Sequence, residues 1–435
     1  MQLELAEFPV HEIRFGKSHS YRRGRLELNR EELARMVLED HRIEAAKFET
    51  AAPGERARIT GIRDIVEPRA KFGGAAQVFP GAIGPVESVG AGLTQRLSGM
   101  TVVATAAYEG TIRAGTGVQR STILDMWGPG AASSRFGKLT HLVLILRLKP
   151  GLGEYDAHIA IQTAEFLVAK RLAELTEGQS PERIERYELA RAAQAAPRVA
   201  LIQGCITNGG QPHSGVGYYG LPIRESLATL IHPNELFDGA LTTNTTRGIG
   251  YYPTTWDWQH HPLALQLYRE QAAGRLSFAG VILERISYDT IHGKQVVAHN
   301  TARLAAQIGA DGALITWLGS GNAFVDVMLT IRACEQLGIK TTLVTYEYGG
   351  KDGVDSPLLY YTPEADAVVS TGSRDRWIEL PEADKLIGPY DEISVLSYPG
   401  APLTSARSAF TLDARDMLAG GVDLWGGDAT TCMAF

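Results

Sequence analysis

The stretch GALITWLGSGNAFVDVMLTIRACEQLGIKTTLVTYE, residues 312–347, decides the fold class. Its opening run, GALITWLG, is short and apolar and leads into Gly319-Ser320-Gly321-Asn322. AFVDVMLTIRACEQLG then sets apolar residues at helical spacing and stops at Gly338, and TTLVTYE is again short and rich in β-branched residues. Strand, helix and strand in that order make a βαβ unit, whose two strands run parallel.

The same pattern extends outward in both directions. RVALIQGC, FAGVILERIS and ADAVVSTGS, all beyond Pro197, are further continuous apolar runs with helical segments between several of them. Strands of that kind are buried on both faces, so residues 197–435 are expected to form a doubly wound, mostly parallel α/β domain. Residues 1–150 read differently. LELAEFPVHEIRFG, ARITGIRDIVEP and LSGMTVVATAAYEG are β-type runs set apart by Gly, Pro and Asn, which predicts a β-rich N-terminal domain. One helix interrupts them, with Asn29 as N-cap, Glu32 at capping-box spacing, and Leu33, Met36 and Val37 on one face. Residues 72–95, rich in Gly and Pro, read as a long loop. Residues 151–196 are expected to be a helical connection, with DAHIAIQTAEFLVAKRLAELTE at helical spacing followed by a polar stretch.

With 435 residues the chain needs no disulfide or metal staple, and its three cysteines, Cys205, Cys334 and Cys432, stand far apart without metal-ligand or redox-pair spacing. Buried thiols in a reducing cytoplasm are the expectation, with no metal site. The N-terminus alternates like a strand and carries no signal-peptide pattern, and no apolar run approaches the roughly 20 residues that span a bilayer. A net charge of −7 without a Lys/Arg-rich block gives no footprint for nucleic acid or an anionic membrane. Small-molecule chemistry and protein partners remain.

Four clusters can carry that chemistry. Gly319-Ser320-Gly321-Asn322 follows a strand and opens a helix, which suits a carboxylate or phosphate, although such turns also need glycine for packing alone. Glu347, Gly349, Gly350, Lys351, Asp352 and Gly353 follow the next strand on the same sheet edge. QGCITNGGQPHSGVGYYG, residues 203–220, brings His213, Tyr218 and Tyr219 toward that edge, as acid/base groups or as a packed turn. LTTNTTRGIGYYPTTWDWQHHP, residues 241–262, sets Asn244 among threonines and is dense in aromatics, with His260 and His261 near its end.

Taken in order along the chain, these features resemble the alpha/beta proprotein of component B of the glycine, sarcosine and betaine reductases. The resemblance rests on the opening MQLELAEFPVHEIRFG, Ala-Pro-Gly-Glu at 52–55, Asp64 to Arg69, Phe79-Pro80-Gly81, and Asp125-Met126-Trp127-Gly128-Pro129. It continues through His213 to Gly220, Pro233 to Ala240, Gly321-Asn322 with Asp326, and Glu347 with Gly350, Asp352 and Gly353, so that it covers nearly the whole chain. It implies an oxidoreductase of amino-acid metabolism, a cytoplasmic hetero-oligomer whose precursor is cut at an Asn-Cys bond. The new N-terminal cysteine becomes a pyruvoyl group that forms a Schiff base with the substrate amine, and a selenocysteine on a second component B-type subunit takes the carbon fragment.

Here Asn244-Thr245 stands where the family has Asn-Cys, and the second family cysteine of this loop is missing. A hydroxyl can attack the preceding carbonyl as a thiol does, but needs a base. Cleavage at Asn244-Thr245 followed by β-elimination leaves a protein-derived 2-oxobutanoyl group. Cleavage alone leaves an N-terminal threonine with its own amine as base, the arrangement of a hydrolase or lyase acting on an amide-like C–N bond with a partner subunit. Without cleavage, Thr245 only binds substrate, or the chain is a non-catalytic scaffold. The expected catalytic set is Asn244, Thr245, His213, His260 and His261; the expected substrate contacts are Gly321, Asn322, Glu347, Asp352 and Tyr218.

Overall fold

The computed structural model describes residues 1–73, 77–107, 122–190, 196–207, 215–245, 253–287, 289–319, 321–350, 358, 360–395, 402–413, 415–427 and 431–432. The fold is mixed α/β. Two four-stranded sheets occupy the first part of the chain. One has the order Arg183–Glu188, Gln2–Pro9, Gly92–Ser98, Arg69–Lys71; the other runs Ile43–Ala51, Thr140–Leu148, Met100–Ala107, Ile62–Val66. The run that begins LELAEFP splits at Val10, and its second piece, Glu12–Phe15, joins a separate small sheet.

The helix Glu154–Glu174 packs against strands of both large sheets. Ala157, Ala160, Ile161, Ala164, Phe166 and Val168 are all buried there, together with Val102, Ala104 and Leu144 of the strands. Past the helix, the stretch expected to be a polar linker contains a strand, Arg183–Glu188, antiparallel to Gln2–Pro9. Its alternation of charged residues hid it. It is an edge strand ion-paired on both faces, Arg186 with Glu4 on one and Arg183 with Glu7 on the other, so no apolar periodicity marks it. The helix expected after Asn29 runs Arg30–Val37, and Asn29 Oδ1 accepts the N–H groups of Glu31 and Glu32 at 3.1 Å each.

A seven-stranded sheet forms the core of the remainder. Its order is Ala228–Ile231, Ser277–Ser287, Arg198–Thr207, Gly312–Trp317, Lys340–Glu347, Val368–Ser373, Thr431–Cys432. The five central strands are parallel, and both edge strands are antiparallel to their neighbours. The βαβ unit read from residues 312–347 is present, with its helix at Phe324–Gln336 lying beside the helix Ile291–Gln307. Buried Leu201, Ile202, Val281, Leu283, Ile315 and Leu343 show why these strands are continuous apolar runs. Cys205 and Cys334 are buried free thiols whose pKa burial raises, Cys334 to about 12.

Two features cross between these parts. The strand Lys385–Ile387 returns to pair in parallel with Ala57–Ile59, in a three-stranded sheet completed by Ile123–Asp125. The loop around Gly81 meets the tyrosine pair at 218–219. Gly81 has φ +78, and a Cβ there would collide with the carbonyl oxygen of Tyr219. Phe79 (φ 55) and Tyr219 (φ 51), both non-glycine residues at positive φ, flank that contact. Among the described residues no helix is long and apolar enough to cross a membrane.

Candidate functional site

The sequential order of the five parallel strands across the sheet is second, first, third, fourth, fifth. That order reverses between Arg198–Thr207 and Gly312–Trp317, and ligands of open parallel sheets gather beyond the carboxyl ends of strands at such a reversal. The chain segments leaving those two strands are 208–214, which holds His213 and lies outside the described residues, and Leu318 onward. Gly319 is pinned there, its N–H donating to Tyr346 Oη at 3.2 Å and its carbonyl accepting the Tyr348 hydroxyl at 2.9 Å. Gly321 (φ +56) and Asn322 follow, exposed, in the turn that leads into Phe324–Gln336.

The Asn244-Thr245 pair is held at the same place by a small antiparallel sheet. Leu241–Thr243 pairs with Val216–Tyr218, Val216 opposite Thr243. Gly215, at φ +101, backs onto strand Arg198–Thr207 so closely that a Cβ would collide with the carbonyl oxygen of Ile206. Asn244 N–H donates to the Gly215 carbonyl at 3.1 Å, which sets the pair over the end of the first central strand.

Thr245 is fully buried, and its partner is a residue that the sequence did not point to. His158, on the first turn and a half of the helix Glu154–Glu174, puts Nδ1 3.0 Å from Thr245 Oγ1 and 3.2 Å from Thr245 N. An amide N–H can only donate, so Nδ1 presents its lone pair to Thr245. The hydroxyl can then donate to Nδ1 or to the His158 carbonyl, 3.2 Å away. A hydroxyl beside an unprotonated imidazole nitrogen is an activated nucleophile. A cavity of about 20 Å³ borders His158 and Asn244, with Tyr155, Gly215, Gly220 and Pro222 also in its wall. That volume is about the size of one water.

The helix contributes more than the histidine. Gln162, one turn on, donates to the Thr243 carbonyl at 3.4 Å, and Glu165 follows on the same face, fully buried. Burial, and then the charge of Asp64, pushes the Glu165 carboxyl well above the ordinary range. Burial likewise raises Asp64 to about 7, although it accepts the N–H of Thr255 and of Ile65 at 2.8 Å each and the Thr255 hydroxyl. Thr255 Oγ1 in turn accepts the Thr243 N–H at 3.3 Å. The backbone leading into Asn244 is thus gripped from both sides by buried polar groups. Thr255 opens the helix Thr255–Gln259 under a reciprocal capping box, Thr254 with Asp257.

The other expected site residues are elsewhere. His260 Nε2 lies 3.1 Å from Glu67 Oε1 and its Nδ1 2.8 Å from the Trp256 carbonyl. Burial favours a neutral Glu67, but His260, Arg69 and Arg96 around it hold its carboxyl well below the usual range. His260 borders a cavity of about 530 Å³, with Arg135, Trp256, Arg269, Val344 and Trp425 also in its wall, which shares no lining residue with the small cavity at Asn244. His261 is fully buried, with Nδ1 accepting the Ala264 N–H at 3.4 Å, Nε2 3.0 Å from Gln203 Oε1, and the ring stacked on Trp425. Burial lowers its pKa to about 3. Tyr218 donates to Glu235 Oε2 at 2.8 Å, and burial followed by the Glu235 charge raises its pKa. Glu347 ends its strand half-buried, its carbonyl accepting the Arg374 N–H at 3.0 Å. Asp352 lies outside the described residues. The structure therefore unites Asn244 and Thr245 with His158, beside the strand of Tyr218, and sets His260 and His261 apart.

Residues 1–420 match a family described as glycine/sarcosine/betaine reductase component B subunits. Among curated proteins, the glycine reductase complex component B subunits alpha and beta of Acetoanaerobium sticklandii are 31% identical over 394 residues, 89% of each chain. The sarcosine reductase complex component B subunit alpha of Peptoclostridium acidaminophilum is 29% identical, over 91% of each chain. The betaine reductase complex component B subunit alpha of the same organism is 29% identical over 98% of this chain and 92% of its own. No solved structure matches the chain.

Proposed function

Because the chain belongs to the glycine/sarcosine/betaine reductase component B family, we propose that it serves in a complex of that kind, acting on a C–N bond of a small amine or amino acid after cleaving itself between Asn244 and Thr245. One observation carries the reading. Thr245, which the resemblance sets at the family's processed cysteine, has its hydroxyl buried against the imidazole of His158. A hydroxyl lacks the intrinsic reactivity of a thiolate, and an adjacent base is what it needs to replace one.

The residues present suit a ketone derived from Thr245. After β-elimination the chain beginning at 245 would carry a 2-oxobutanoyl group, which supplies an electron-withdrawing carbonyl for a substrate amine. His158 and the Gln162–Thr243 bond fix the position of residue 245. The reducing equivalents would come through a second component B-type subunit bearing a selenocysteine or cysteine, since Cys205 and Cys334 are buried thiols with raised pKa. The hydrolase or lyase alternative draws no support from the relatives named above, each a reductase component B subunit.

Intact-mass spectrometry of the purified chain tests this. Two fragments, residues 1–244 and 245–435, are expected in place of the 47.1 kDa chain, the second lighter than its sequence by one ammonia and labelled by hydrazine. Thr245→Ala should stay whole. A wild-type chain that remains a single full-length species on prolonged incubation rules the reading out.

A further inference from the structure

We infer that Nδ1 of His158 is the base and then the acid of the cleavage step, moving one proton from Thr245 Oγ1 to Thr245 N. The inference rests on the self-cleavage reading above. It goes further by assigning the proton-transfer group, which lies on a helix 87 residues upstream of the bond it acts on.

The geometry matches the requirement of an N-to-O acyl shift. In that step Thr245 Oγ1 bonds to the carbonyl carbon of Asn244, and the bond from that carbon to Thr245 N breaks. The hydroxyl must lose a proton and the leaving nitrogen must gain one, so amide becomes ester with no atom or electron exchanged with solvent. One acceptor within reach of both atoms can serve both halves. Nδ1 stands 3.0 Å from Oγ1 and 3.2 Å from N, within hydrogen-bond reach of each. Nδ1 is unprotonated at the start of the first half, because it accepts the amide N–H in the uncut chain. Once protonated, it is already in place for the second.

The fold holds this arrangement without help from the exposed loops. His158 is fixed by a helix whose flanking residues Ala157, Ala160 and Ile161 are buried against the first-part strands. Thr245 is fixed through Asn244 N–H to Gly215 and the pairing of Val216 with Thr243. The cavity beside Asn244 and His158, about 20 Å³, leaves room for one water, enough to hydrolyse the imine left by β-elimination to the ketone and release ammonia.

The test uses the full-length chain. His158→Asn puts an amide oxygen close to where Nδ1 stood, so both hydrogen bonds can be kept while basicity is lost; His158→Gln is made alongside it. Variants are compared with wild type by thermal melting, and those that melt alike are followed by intact mass over time. Cleavage at least about 100-fold slower than wild type is expected, the usual scale for losing a general acid–base group. Adding Thr245→Cys to His158→Asn should restore part of the rate, because a thiol needs less help from a base. Hydroxylamine, which cuts esters and not ordinary amides, should release no fragment from His158→Asn.

A well-folded His158→Asn chain that cleaves at the wild-type rate overturns the assignment while leaving self-cleavage intact. Hydroxylamine cutting of that variant overturns it as well, since the ester would then form without the imidazole. If neither variant melts like wild type, the double variant with Thr245→Cys decides: cleavage no slower than that of Thr245→Cys alone overturns the assignment, and slower cleavage upholds it. A wild-type chain that never cleaves removes the underlying reading and this inference together, and the mass spectrum tells that case from the others.

Discussion

Arg58 and Asp125 form a two-pronged ion pair, Nε to Oδ1 at 2.6 Å and Nη2 to Oδ2 at 2.8 Å, with no exposed surface on either side chain. Arg58 spends its remaining donors on the carbonyls of Ala406, at 2.7 Å, Pro381, at 2.9 Å, and Ser408, at 3.1 Å. It therefore ties a strand near the N-terminus to a segment more than three hundred residues later. Removing the arginine leaves a buried carboxylate alone, whereas removing the carboxylate leaves an arginine that still has carbonyl acceptors. Arg58→Met should cost about 3 to 5 kcal/mol in urea unfolding, and Asp125→Asn clearly less. Equal losses would contradict this division of labour.

Gly81→Ala should destabilise the chain by about 2 kcal/mol or more, because it adds left-handed strain to a backbone collision with Tyr219. The damage should be local as well. Hydrogen exchange at Tyr219 and Val89, whose N–H donates to Tyr219 Oη at 3.2 Å, should quicken more than exchange in the seven-stranded sheet. A variant as stable as wild type would mean that the loop can withdraw from Tyr219 without loss.

Glu284, fully buried on the strand Ser277–Ser287, has its pKa raised by burial from 4.5 to about 8. The folded state thus holds this proton more tightly than the unfolded chain does. The contribution is complete below pH 4.5 and is lost as pH rises toward 8, an expected fall of about 4 kcal/mol between pH 5 and pH 8. Glu284→Gln has no proton to lose, so its stability relative to wild type should improve across that interval. Parallel stability curves for the two proteins would place the titration elsewhere.

On the acid side the buried histidines act in the opposite sense. Burial lowers His141 from 6.5 to about 4 and His261 from 6.5 to about 3. Stability from these groups is present above pH 6.5 and drains away as pH falls through that interval, by about 2 kcal/mol per histidine between pH 7 and pH 5. His261→Asn keeps a side chain that caps the helix Pro262–Ala272 and cannot take up the proton. Its unfolding free energy should depend on pH less steeply than that of wild type, by one proton; an unchanged slope would sink the assignment.

The parts of this structure that could be read from sequence are those whose signal is local. The continuous apolar runs at 198–205, 278–287, 312–319 and 340–347 announced buried parallel strands, and Asn29 announced the helix it caps. The strand Arg183–Glu188 escaped because an edge strand with ion pairs on both faces has no apolar period. The pairing of Lys385–Ile387 with Ala57–Ile59 escaped because nothing in either segment names its partner. His158 escaped for the same reason, since the helix that carries it looked like packing. A signal was present all the same. His158, Gln162 and Glu165 recur at helical spacing in an otherwise apolar run, a polar line that a purely structural helix has no use for.

The strand Lys385–Ile387 has one more effect, on what a cut at residue 244 would leave behind. Its partners, Ala57–Ile59 and Ile123–Asp125, are upstream of the cut, and it lies downstream. Two separate polypeptides would then share one hydrogen-bonded sheet, interleaved and not merely touching. Such a pair keeps its shape once made but cannot readily be remade after denaturation. The first folding is unimolecular, and every later one would require two strangers to meet at a rate set by their concentration. Processing would thus act as a ratchet, converting a reversible folding equilibrium into a history that the molecule passes through once.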